Sequence, residues 1–413
     1  MMIFRRTDSS RRGVLILVEN LPVPFDRRVW QEACTLRDAG YAVSIIGPTG
    51  CGYESRFEIR DEIHIYRYDL VEGSTPAGYA REYATALLWT FALTVKVWAT
   101  RGFDVIHACN PPDLFFVIGA LFKLLGKKYV FDHHDINPEL YEAKFARRDF
   151  FHRVLLRLER LSFLVADVSI ASNDSYRRIA IRRGHMPPSR VFVVRSGPSL
   201  ARMKIGPGDP RLKQGRRFLI GYVGVIGRQE GIDCLLRAAC HIVRDLGRAD
   251  VHFGIVGDGT ALAEMKALAK QLKIDSHVTF TGRVSDAELL ALLNTADVCV
   301  NPDRANDMND RSTMNKIMEY MALGKPIVQF DLTEGRYSAQ SASLYARRND
   351  IRDFAAKIVV LLDDPTLRAR MGEFGRRRLL QELEWSHQAP RLRTAYETLW
   401  RPRAVERNEP FAT

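Results

Sequence analysis

The stretch from Asn301 to Phe330 carries hydroxyl, ammonium and carboxylate side chains at helical spacing. Ser312 and Thr313 are residue types that begin helices, and the free backbone N–H groups after such a start can hold an anion. Lys316 falls on the first turn, where its ammonium can neutralise a phosphate. Glu319 follows one turn deeper on the same face, where its carboxylate can accept hydrogen bonds from two ribose hydroxyls. The segment therefore predicts a nucleotide site; the plainer interpretation is a capped helix with a Lys–Glu pair.

A second group of titratable side chains runs from Asp132 to Asp135, with His133 and His134 between the two acids. Residues next to each other on a strand point to opposite faces, so at most half of this group can converge. That argues against a metal site, and we expect His134 and Asp135 at the end of a strand instead. The alternative is a histidine paired with an aspartate for structure alone. The acids at positions 297, 303, 307 and 310 lack a fixed metal-ligand spacing and are interpreted as loop residues.

Both groups sit within an alternation of short apolar runs and amphipathic stretches. In the first half the strand-like runs are Val14–Val18, Ala42–Ile46, Ile63–Arg67, Asp104–His107, Lys128–Asp132, Asp167–Ala171 and Val191–Val194. An amphipathic stretch such as Val29–Ala39 ends before Gly40, a residue type that closes helices. This strand–helix alternation predicts a parallel sheet with helices on both faces.

The alternation breaks between Ser196 and Gln214, where glycine and proline accumulate, and then starts again. The strand-like runs of the second half are Phe218–Val223, Val251–Val256, His277–Phe280, Asp297–Asn301, Pro326–Phe330 and Ser343–Ala346. We therefore predict an α/β protein of two doubly wound, Rossmann-like domains, over residues 1–200 and 201–385. Residues 386–413 are expected to form a helix that crosses back to the first domain, followed by a tail. Because open α/β sheets bind ligands at the carboxyl ends of their strands, the chemistry is expected in a cleft between the domains.

Several motifs, in order, resemble those of the family 4 glycosyltransferases, which have the GT-B fold. They are ENLPVPFDRRVWQEACTLRDAGYAVSIIGP, FDHHDINPE, YVGVIGRQEGID, IVGDG, VTFTGRV and the stretch NPD…STMNKIMEYMALGKPIV. The resemblance covers roughly Gly13 to Leu399. The helix with Ser-Thr, Lys and Glu-Tyr-Met-Ala is similar to the exopolysaccharide-biosynthesis branch of the family. The resemblance implies a cleft enzyme whose C-terminal domain holds a UDP- or GDP-linked sugar.

The chain departs from the family pattern at three charged positions. The family's glycine loop usually carries an Arg after the glycine and a Lys before the second glycine, and here these places hold Val225 and Glu230. The usual first acid of the paired-Glu motif, eight residues before Glu319, is Arg311. If a diphosphate is bound, other side chains must supply the positive charge, and the candidates are Arg228, Arg311 and Lys316.

The resemblance, carried over residue by residue, predicts nine donor contacts: Gly224, Arg228, Gly257, Arg283, Val284, Ser312, Thr313, Lys316 and Glu319. Gly224 lacks a side chain and so lets the backbone approach a phosphate or the acceptor closely, although a strand-end glycine can serve the turn alone. Arg283 and Val284 fall where the family's backbone reads the nucleobase, and an apolar Val there also suits an ordinary strand end.

The resemblance also implies transfer with retention of the anomeric configuration. The sugar–phosphate bond must ionise, and preorganised positive groups must stabilise the leaving diphosphate. We expect the catalytic groups to be His134, Asp135, Arg228 and Lys316, with His134 on the sugar hydroxyls and the departing phosphate as base. No cofactor and no metal ion are expected, because helix dipoles and basic side chains take the place of a cation.

Composition limits the partners and the cellular compartment that we expect for the protein. The 413 residues carry a net charge of +12, and no helix-turn-helix, zinc-finger or RNA-binding signature accompanies that charge, so nucleic acid is not an expected partner. The six cysteines are scattered, which argues against disulfides and a zinc site and favours the cytoplasm. No run reaches the roughly 20 apolar residues that a membrane-spanning helix needs.

A basic and aromatic stretch, Lys144–Val165, and the apolar stretch Tyr83–Ala99 are typical of helices that lie in a membrane interface. They predict a peripheral protein on an anionic membrane, at the inner face of the plasma membrane, with a lipid-linked or glycan acceptor. The alternative is a core helix whose arginines are merely solvated. Two other functions remain open: a GT-B epimerase acting on the nucleotide sugar, and a non-catalytic assembly subunit at the membrane.

Overall fold

The structure is a computed structural model that describes residues 11–70 and 76–401. Within these residues the chain forms two β-sheets, one of eight strands and one of six. In the first sheet the strands are β1 (Gly13–Leu17), β2 (Ala42–Pro48), β3 (Phe57–Arg60), β4 (Ile63–Tyr68), β5 (Val105–Cys109), β6 (Lys128–His133), β7 (Val168–Ala171) and β8 (Val191–Val193). Their order is β3-β4-β2-β1-β5-β6-β7-β8. The order reverses direction between β1 and β5.

The helices that cover this sheet are α1 (Arg27–Asp38), α2 (Pro76–Thr100), α3 (Phe116–Lys123), α4 (Asn137–Phe145), α5 (Phe150–Val165) and α6 (Asp174–Arg182). The strand β1 (GVLIL) is buried at every position, because helices cover both faces of a parallel sheet. The sequence prediction missed β3, which pairs antiparallel with β4 at the sheet edge and is largely exposed.

The second sheet has the order β11-β10-β9-β12-β13-β14. Its strands are β9 (Phe218–Val223), β10 (Val251–Val256), β11 (Val278–Gly282), β12 (Val298–Asn301), β13 (Ile327–Phe330) and β14 (Ser343–Ala346). Its helices are α7 (Ile232–Cys240), α8 (Leu262–Gln271), α9 (Asp286–Thr295), α10 (Asp307–Arg311), α11 (Asn315–Ala322), α12 (Thr333–Ala339), α13 (Ile351–Asp363) and α14 (Pro365–Arg378). This order confirms the predicted doubly wound domain. The switch point lies between β9 and β12, so their carboxyl ends form the expected ligand crevice.

The last helix, α15 (Trp385–Thr398), packs against α1, β7 and β8 of the first domain. Its indole N–H at Trp385 donates to Thr35 Oγ1 at 2.9 Å. The predicted tail beyond residue 401 lies outside the described residues. In the part of the chain that the structure describes, no helix combines the length and apolar character that a membrane crossing requires.

The helix after β12 begins later than the sequence predicts. Ser312 ends the short helix α10, and α11 starts at Asn315 with Met314 before it, without a side-chain cap. The expectation that Ser312 and Thr313 cap this helix was therefore wrong. Leu323 closes α11, and Gly324 follows it with φ +65°, a backbone conformation that favours glycine.

Candidate active site

Two of the predicted donor residues are glycines at the ends of neighbouring strands. Gly224 follows β9 and Gly257 follows β10, and a Cβ on Gly257 would lie only 1.8 Å from the carbonyl oxygen of Gly224. A Cβ on Gly224 would lie 2.6 Å from the hydroxyl oxygen of Tyr222 and 3.3 Å from Cε of Lys316. Any side chain at either position would displace these groups. Gly224, Gly257 and Lys316 thus lie together at the carboxyl ends of the central strands.

Lys316 is already surrounded by acidic groups. Its Nζ lies 3.1 Å from Oδ1 of Asp303, 3.4 Å from Oε2 of Glu230 and 3.4 Å from the Tyr222 hydroxyl. Its side chain is only 10% exposed, and that of Asp303 is fully buried. Burial alone would lower the pKa of Lys316, but Asp303, Tyr222 and Glu230 raise it well above its usual value. The ammonium is therefore permanently charged, and two carboxylates share that charge.

Asp303 is a site residue that sequence reasoning missed, since the acids of this region were interpreted as loop residues. Burial raises the pKa of Asp303 to about 6, although Lys316 works in the opposite direction. Only the NPD motif marked this position in the sequence, and nothing local indicated that its carboxylate would be buried against Lys316.

Ser312 and Thr313 make contacts between the two domains instead of capping α11. The Ser312 hydroxyl donates to the Met308 carbonyl at 2.8 Å and lies 3.0 Å from the hydroxyl of Tyr176 in α6. Thr313 Oγ1 accepts a hydrogen bond from Asn173 Nδ2 at 3.0 Å. The predicted donor contacts of Ser312 and Thr313 thus compete with contacts that hold the first domain against the second.

Glu319, the predicted ribose-binding residue, faces the first domain and the segment between the domains. Its Oε1 accepts from Nη1 of Arg27 at 3.4 Å and from Nη1 of Arg202 at 3.2 Å. Both arginines also pair with Asp286, at the start of α9. The plainer interpretation of a Lys316–Glu319 pair was wrong, because each residue pairs elsewhere. Sequence reasoning could not find Arg27, which lies 292 residues away from Glu319 along the chain.

Arg228 and Arg311, two of the candidates for diphosphate binding, have partners of their own. Arg228 is 82% exposed and pairs with Glu264 of α8 at 3.0 Å, an environment unlike that of buried Lys316. Arg311 donates to Oε1 of Glu139, in α4 of the first domain, at 2.9 Å. Arg228 therefore lies outside the group of side chains around Lys316. Arg311 forms a contact between the two domains.

The predicted nucleobase-reading pair lies at the edge of the second sheet. The Arg283 guanidinium stands 5.5 Å from the ring centroid of Phe25 in the first domain, and its Nη1 is 3.6 Å from Sγ of Cys51. Val284 is half-buried and packs against the core beneath β9. A nucleobase next to this pair would lie between the two domains.

Across the cleft, His134 follows β6 and belongs to a buried polar network. Its Nε2 lies 2.6 Å from Oδ2 of Asp132, and Arg28 donates from Nη2 to Oδ1 of the same carboxylate at 3.1 Å. His107 Nε2 is 3.2 Å from Asp132 Oδ2. Burial alone would raise the pKa of Asp132, but Arg28 and His134 hold it well below its usual value. The sequence allowed, as the alternative, a histidine paired with an aspartate, and in the structure His134 pairs with Asp132.

Asp135 lies beside His134 but is held differently. Its backbone N–H and that of His134 both donate to Oδ1 of Asn110, at 3.1 and 2.6 Å. Burial raises the pKa of the Asp135 carboxyl. The two predicted catalytic residues thus share one loop, fixed through its backbone by Asn110 at the end of β5.

One group among the described residues has the donor atoms of a cation site. Glu32, Cys109, Asp132 and His134 each offer one ligand atom, and these atoms lie within 4.8 Å of one another. As strand alternation allows, Asp132 and His134 share a face. The Arg28 guanidinium pairs with both carboxylates, at 3.1 Å from Glu32 and 3.1 Å from Asp132. A bound cation would have to displace this guanidinium.

The two halves of the chain match two family models. Residues 26–202 match the model described as Glycosyltransferase Family 4, and residues 217–364 match the model described as Glycosyl transferases group 1. The chain is 28% identical over 268 residues to a D-inositol 3-phosphate glycosyltransferase of Kineococcus radiotolerans, a match that covers 59% of each protein. The matches to the first curated relatives span 39 to 59% of those proteins' lengths.

Solved structures resemble the whole chain. A sucrose-phosphate synthase of Thermosynechococcus elongatus has a TM-score of 0.74 at 18% identity and covers 94% of this chain and 99% of its own. Anabaena Alr3699/HepE in complex with UDP-glucose has a TM-score of 0.71 at 17% identity, with the same coverage. Together with the two doubly wound sheets, these matches show the GT-B fold. The N-terminal part of the chain is thus similar to Glycosyltransferase Family 4 and the C-terminal part to Glycosyl transferases group 1, and the whole chain has the GT-B fold.

Proposed function

We propose that the protein transfers a sugar from a nucleotide-sugar donor, held by the C-terminal domain, to an acceptor bound by the N-terminal domain. The observation that carries the proposal is the convergence of Gly224, Gly257 and Lys316 at the switch point of the second sheet. There the backbone can approach a diphosphate closely, and the largely buried ammonium of Lys316 lies beside it. Glu319, on the same helix as Lys316, offers an acidic side chain for the ribose hydroxyls. The UDP-glucose complex of Anabaena Alr3699/HepE supports a donor of this class.

The chemistry proposed is transfer with retention. The diphosphate leaves while the N–H groups at the start of α11 and the Lys316 ammonium stabilise its charge. The resulting oxocarbenium-like sugar bonds to the acceptor's hydroxyl oxygen on the face that the phosphate has left, and the hydroxyl proton passes to the departing diphosphate, so no carboxylate nucleophile is needed. His134 contacts the sugar hydroxyls from the N-terminal domain. The reaction requires no metal ion in this scheme.

Incubation of the purified protein with UDP- and GDP-linked sugars tests the function. We expect one donor to bind and to be consumed by transfer, or by slow hydrolysis without acceptor, and the Lys316→Ala protein to lose this turnover. A bound donor raises the unfolding temperature by mass action, so a thermal-shift screen identifies it first. A folded protein that binds and turns over none of the nucleotide sugars refutes the proposal.

A specific observation favours a second candidate function, that of a non-catalytic assembly subunit. Asp303 and Glu230 both face Lys316, and Val225 stands where the family carries an arginine. A diphosphate would meet less positive charge here than in the related enzymes. Donor binding without any turnover, across the full screen, would favour the subunit.

We further propose a lipid-linked or glycan acceptor and a cytoplasmic protein docked on an anionic membrane. The first domain exposes large apolar side chains on three helices: Leu88, Trp89, Phe91 and Val95 of α2, Val117 and Leu121 of α3 with Leu124 and Leu125 after it, and Phe150, Phe151, Leu161 and Leu164 of α5. Trp98 and Phe122 join α2 to α3, with ring centroids 5.8 Å apart, and α3 packs on α5. Arg153, Arg157 and Arg160 are exposed along α5 itself. Apolar insertion beside arginines is the pattern of interfacial helices.

Vesicle co-sedimentation tests this docking. Each arginine near an anionic surface contributes about 1 kcal/mol, so the Arg153/Arg157/Arg160→Gln protein should lose most of its binding at low salt. The matched control removes three exposed arginines of the C-terminal half, Arg211, Arg347 and Arg377, and should bind like the wild type. Equal sedimentation of the two triple variants would show that the α5 charges are merely solvated.

A further inference from the structure

We propose that Asp132 is a positioning residue that fixes the proton of His134 on Nε2 and leaves Nδ1 as a hydrogen-bond acceptor toward the cleft. The inference rests on the proposed function, in which His134 contacts a hydroxyl of the transferred sugar. It adds which nitrogen makes that contact and which buried groups decide it.

The His134 ring and the Asp132 carboxylate lie at hydrogen-bond distance. His134 Nε2 lies 2.6 Å from Asp132 Oδ2, and a carboxylate can only accept, so this contact requires a proton on Nε2. Arg28 Nε lies 2.9 Å from the same Nε2 and can only donate. The two contacts cannot both be hydrogen bonds to a neutral ring, and the shorter one, from Nε2 to the Asp132 carboxylate, determines the position of the proton.

Asp132 is held as a carboxylate in a fixed orientation. It is fully buried, and Arg28 Nη2 bonds its Oδ1 at 3.1 Å. Arg28 is itself anchored, because its Nη1 donates to the Val194 carbonyl at 2.8 Å and to Ser196 Oγ at 3.1 Å. The carboxylate therefore cannot turn away from His134 without breaking a buried ion pair.

A second imidazole makes the arrangement more rigid. The Tyr396 hydroxyl of α15 lies 2.8 Å from Nδ1 of His107, and Nε2 of His107 lies 3.2 Å from Asp132 Oδ2. A tyrosine that donates to Nδ1 leaves the His107 proton on Nε2, where it also points at Asp132. One carboxylate oxygen thus accepts from two histidines, and the crossing helix α15 sets the orientation of one of them.

The remaining nitrogen of His134 is the one available to a substrate. The side chain is 16% exposed, and the contacts of His134 with the described residues use its backbone N–H and Nε2. His134 follows β6 at the carboxyl edge of the first sheet, where ligands of open α/β sheets bind. A neutral ring with its proton on Nε2 presents a lone pair on Nδ1, which suits a sugar hydroxyl as donor.

The proton position can be measured without any substrate. In the full-length protein with ¹⁵N-labelled histidine, two-bond ¹H–¹⁵N spectra identify the protonated ring nitrogen, and the His134→Gln protein assigns the signal. We expect protonated Nε2 and bare Nδ1 in the wild type. In Asp132→Asn an amide N–H faces the ring and needs an acceptor, so the proton should move to Nδ1. The Asp135→Asn protein changes a neighbouring acid that does not bond the ring and should keep the wild-type signal.

Activity gives a second, separate readout. The carbonyl of Asn in place of His134 lies near the position of Nδ1, whereas the amide of Gln reaches the position of Nε2. We expect His134→Asn to retain more turnover than His134→Gln, and Asp132→Asn to lose about 100-fold in kcat with a smaller change in KM. A wild-type ring protonated on Nδ1 overturns the proposal, even if Asp132→Asn does not fold. A protein without turnover but with the expected ring proton would refute the proposed function and leave the role of Asp132 standing.

Discussion

The sharpest prediction concerns Glu230, which stands where related glycosyltransferases carry a lysine. Its Oε2 lies 3.4 Å from Nζ of Lys316, and its side chain is 19% exposed. A phosphate bound to Lys316 would bring its charge within roughly 5–6 Å of this carboxylate. At that distance the repulsion is about 3 kcal/mol at an effective dielectric constant of about 20 and below about 1 kcal/mol in bulk water. Glu230→Gln removes the repulsion, so we expect donor affinity to rise about 3- to 150-fold.

Isothermal titration calorimetry with UDP-glucose and GDP-mannose measures the effect, at low and at high salt. The matched control is Glu373→Gln, which makes the same change of charge at a 75% exposed position in α14. The gain in affinity of Glu230→Gln should shrink with salt less than a surface effect would, because the pair is largely buried. Unchanged or weaker donor binding in Glu230→Gln, or an equal gain in Glu373→Gln, would show that the diphosphate is not held beside Lys316.

Three further predictions follow from the same site. Glu319→Gln should weaken nucleotide binding by about 1.5–3 kcal/mol. The unfolding temperature should change little, since Arg27 and Arg202 keep Asp286 as a partner. Wild-type affinity of this variant in calorimetry would exclude the ribose-binding role. Because the pKa of Asp303 is about 6, its carboxylate becomes neutral below that pH and no longer offsets Lys316, so nucleotide-sugar affinity should rise as the pH falls through about 6. The Asp303→Asn protein should bind with high affinity at every pH, and a persistent pH dependence in this variant would assign the titration to another group. Transfer should survive EDTA, because Arg28 already pairs with Asp132 and Glu32; a strict requirement for Mg²⁺ or Mn²⁺ would overturn the electrostatic scheme.

The features that could be predicted from the sequence are those with a local cause. The apolar runs predict both sheets and the approximate strand boundaries, and Gly40 predicts the end of α1. The proximity of Gly224 and Gly257 was also predictable, because parallel strands end at the same edge of a sheet. The edge strand β3 was missed because it is short and exposed, so no buried apolar run marked it.

The features that could not be predicted depend on the packing of one domain against the other. Ser312 has the local preference of a helix cap, but its hydroxyl meets Tyr176 and the Met308 carbonyl instead. Glu319 meets Arg27, whose approach is decided by how the domains pack. A capping preference is worth about 1 kcal/mol, and contacts with another domain can exceed it. The contacts of Ser312 and Glu319 therefore cannot be predicted from local sequence preferences.

The two charged residues that depart from the family pattern each have an oppositely charged partner. Glu230, in place of a lysine, pairs with Lys316, and Arg311, in place of an acid, pairs with Glu139 of the first domain. The side chain of Glu139 is only 7% exposed, and it also pairs with Arg183. A negative charge at position 311 would therefore lie against a nearly buried carboxylate, which is costly. Each unusual charge thus has a partner that the family pattern does not require. Reverting Arg311→Glu should consequently destabilise the contact between the domains and lower the unfolding temperature, because two carboxylates would then face each other, whereas the neutral Arg311→Gln should lower it less.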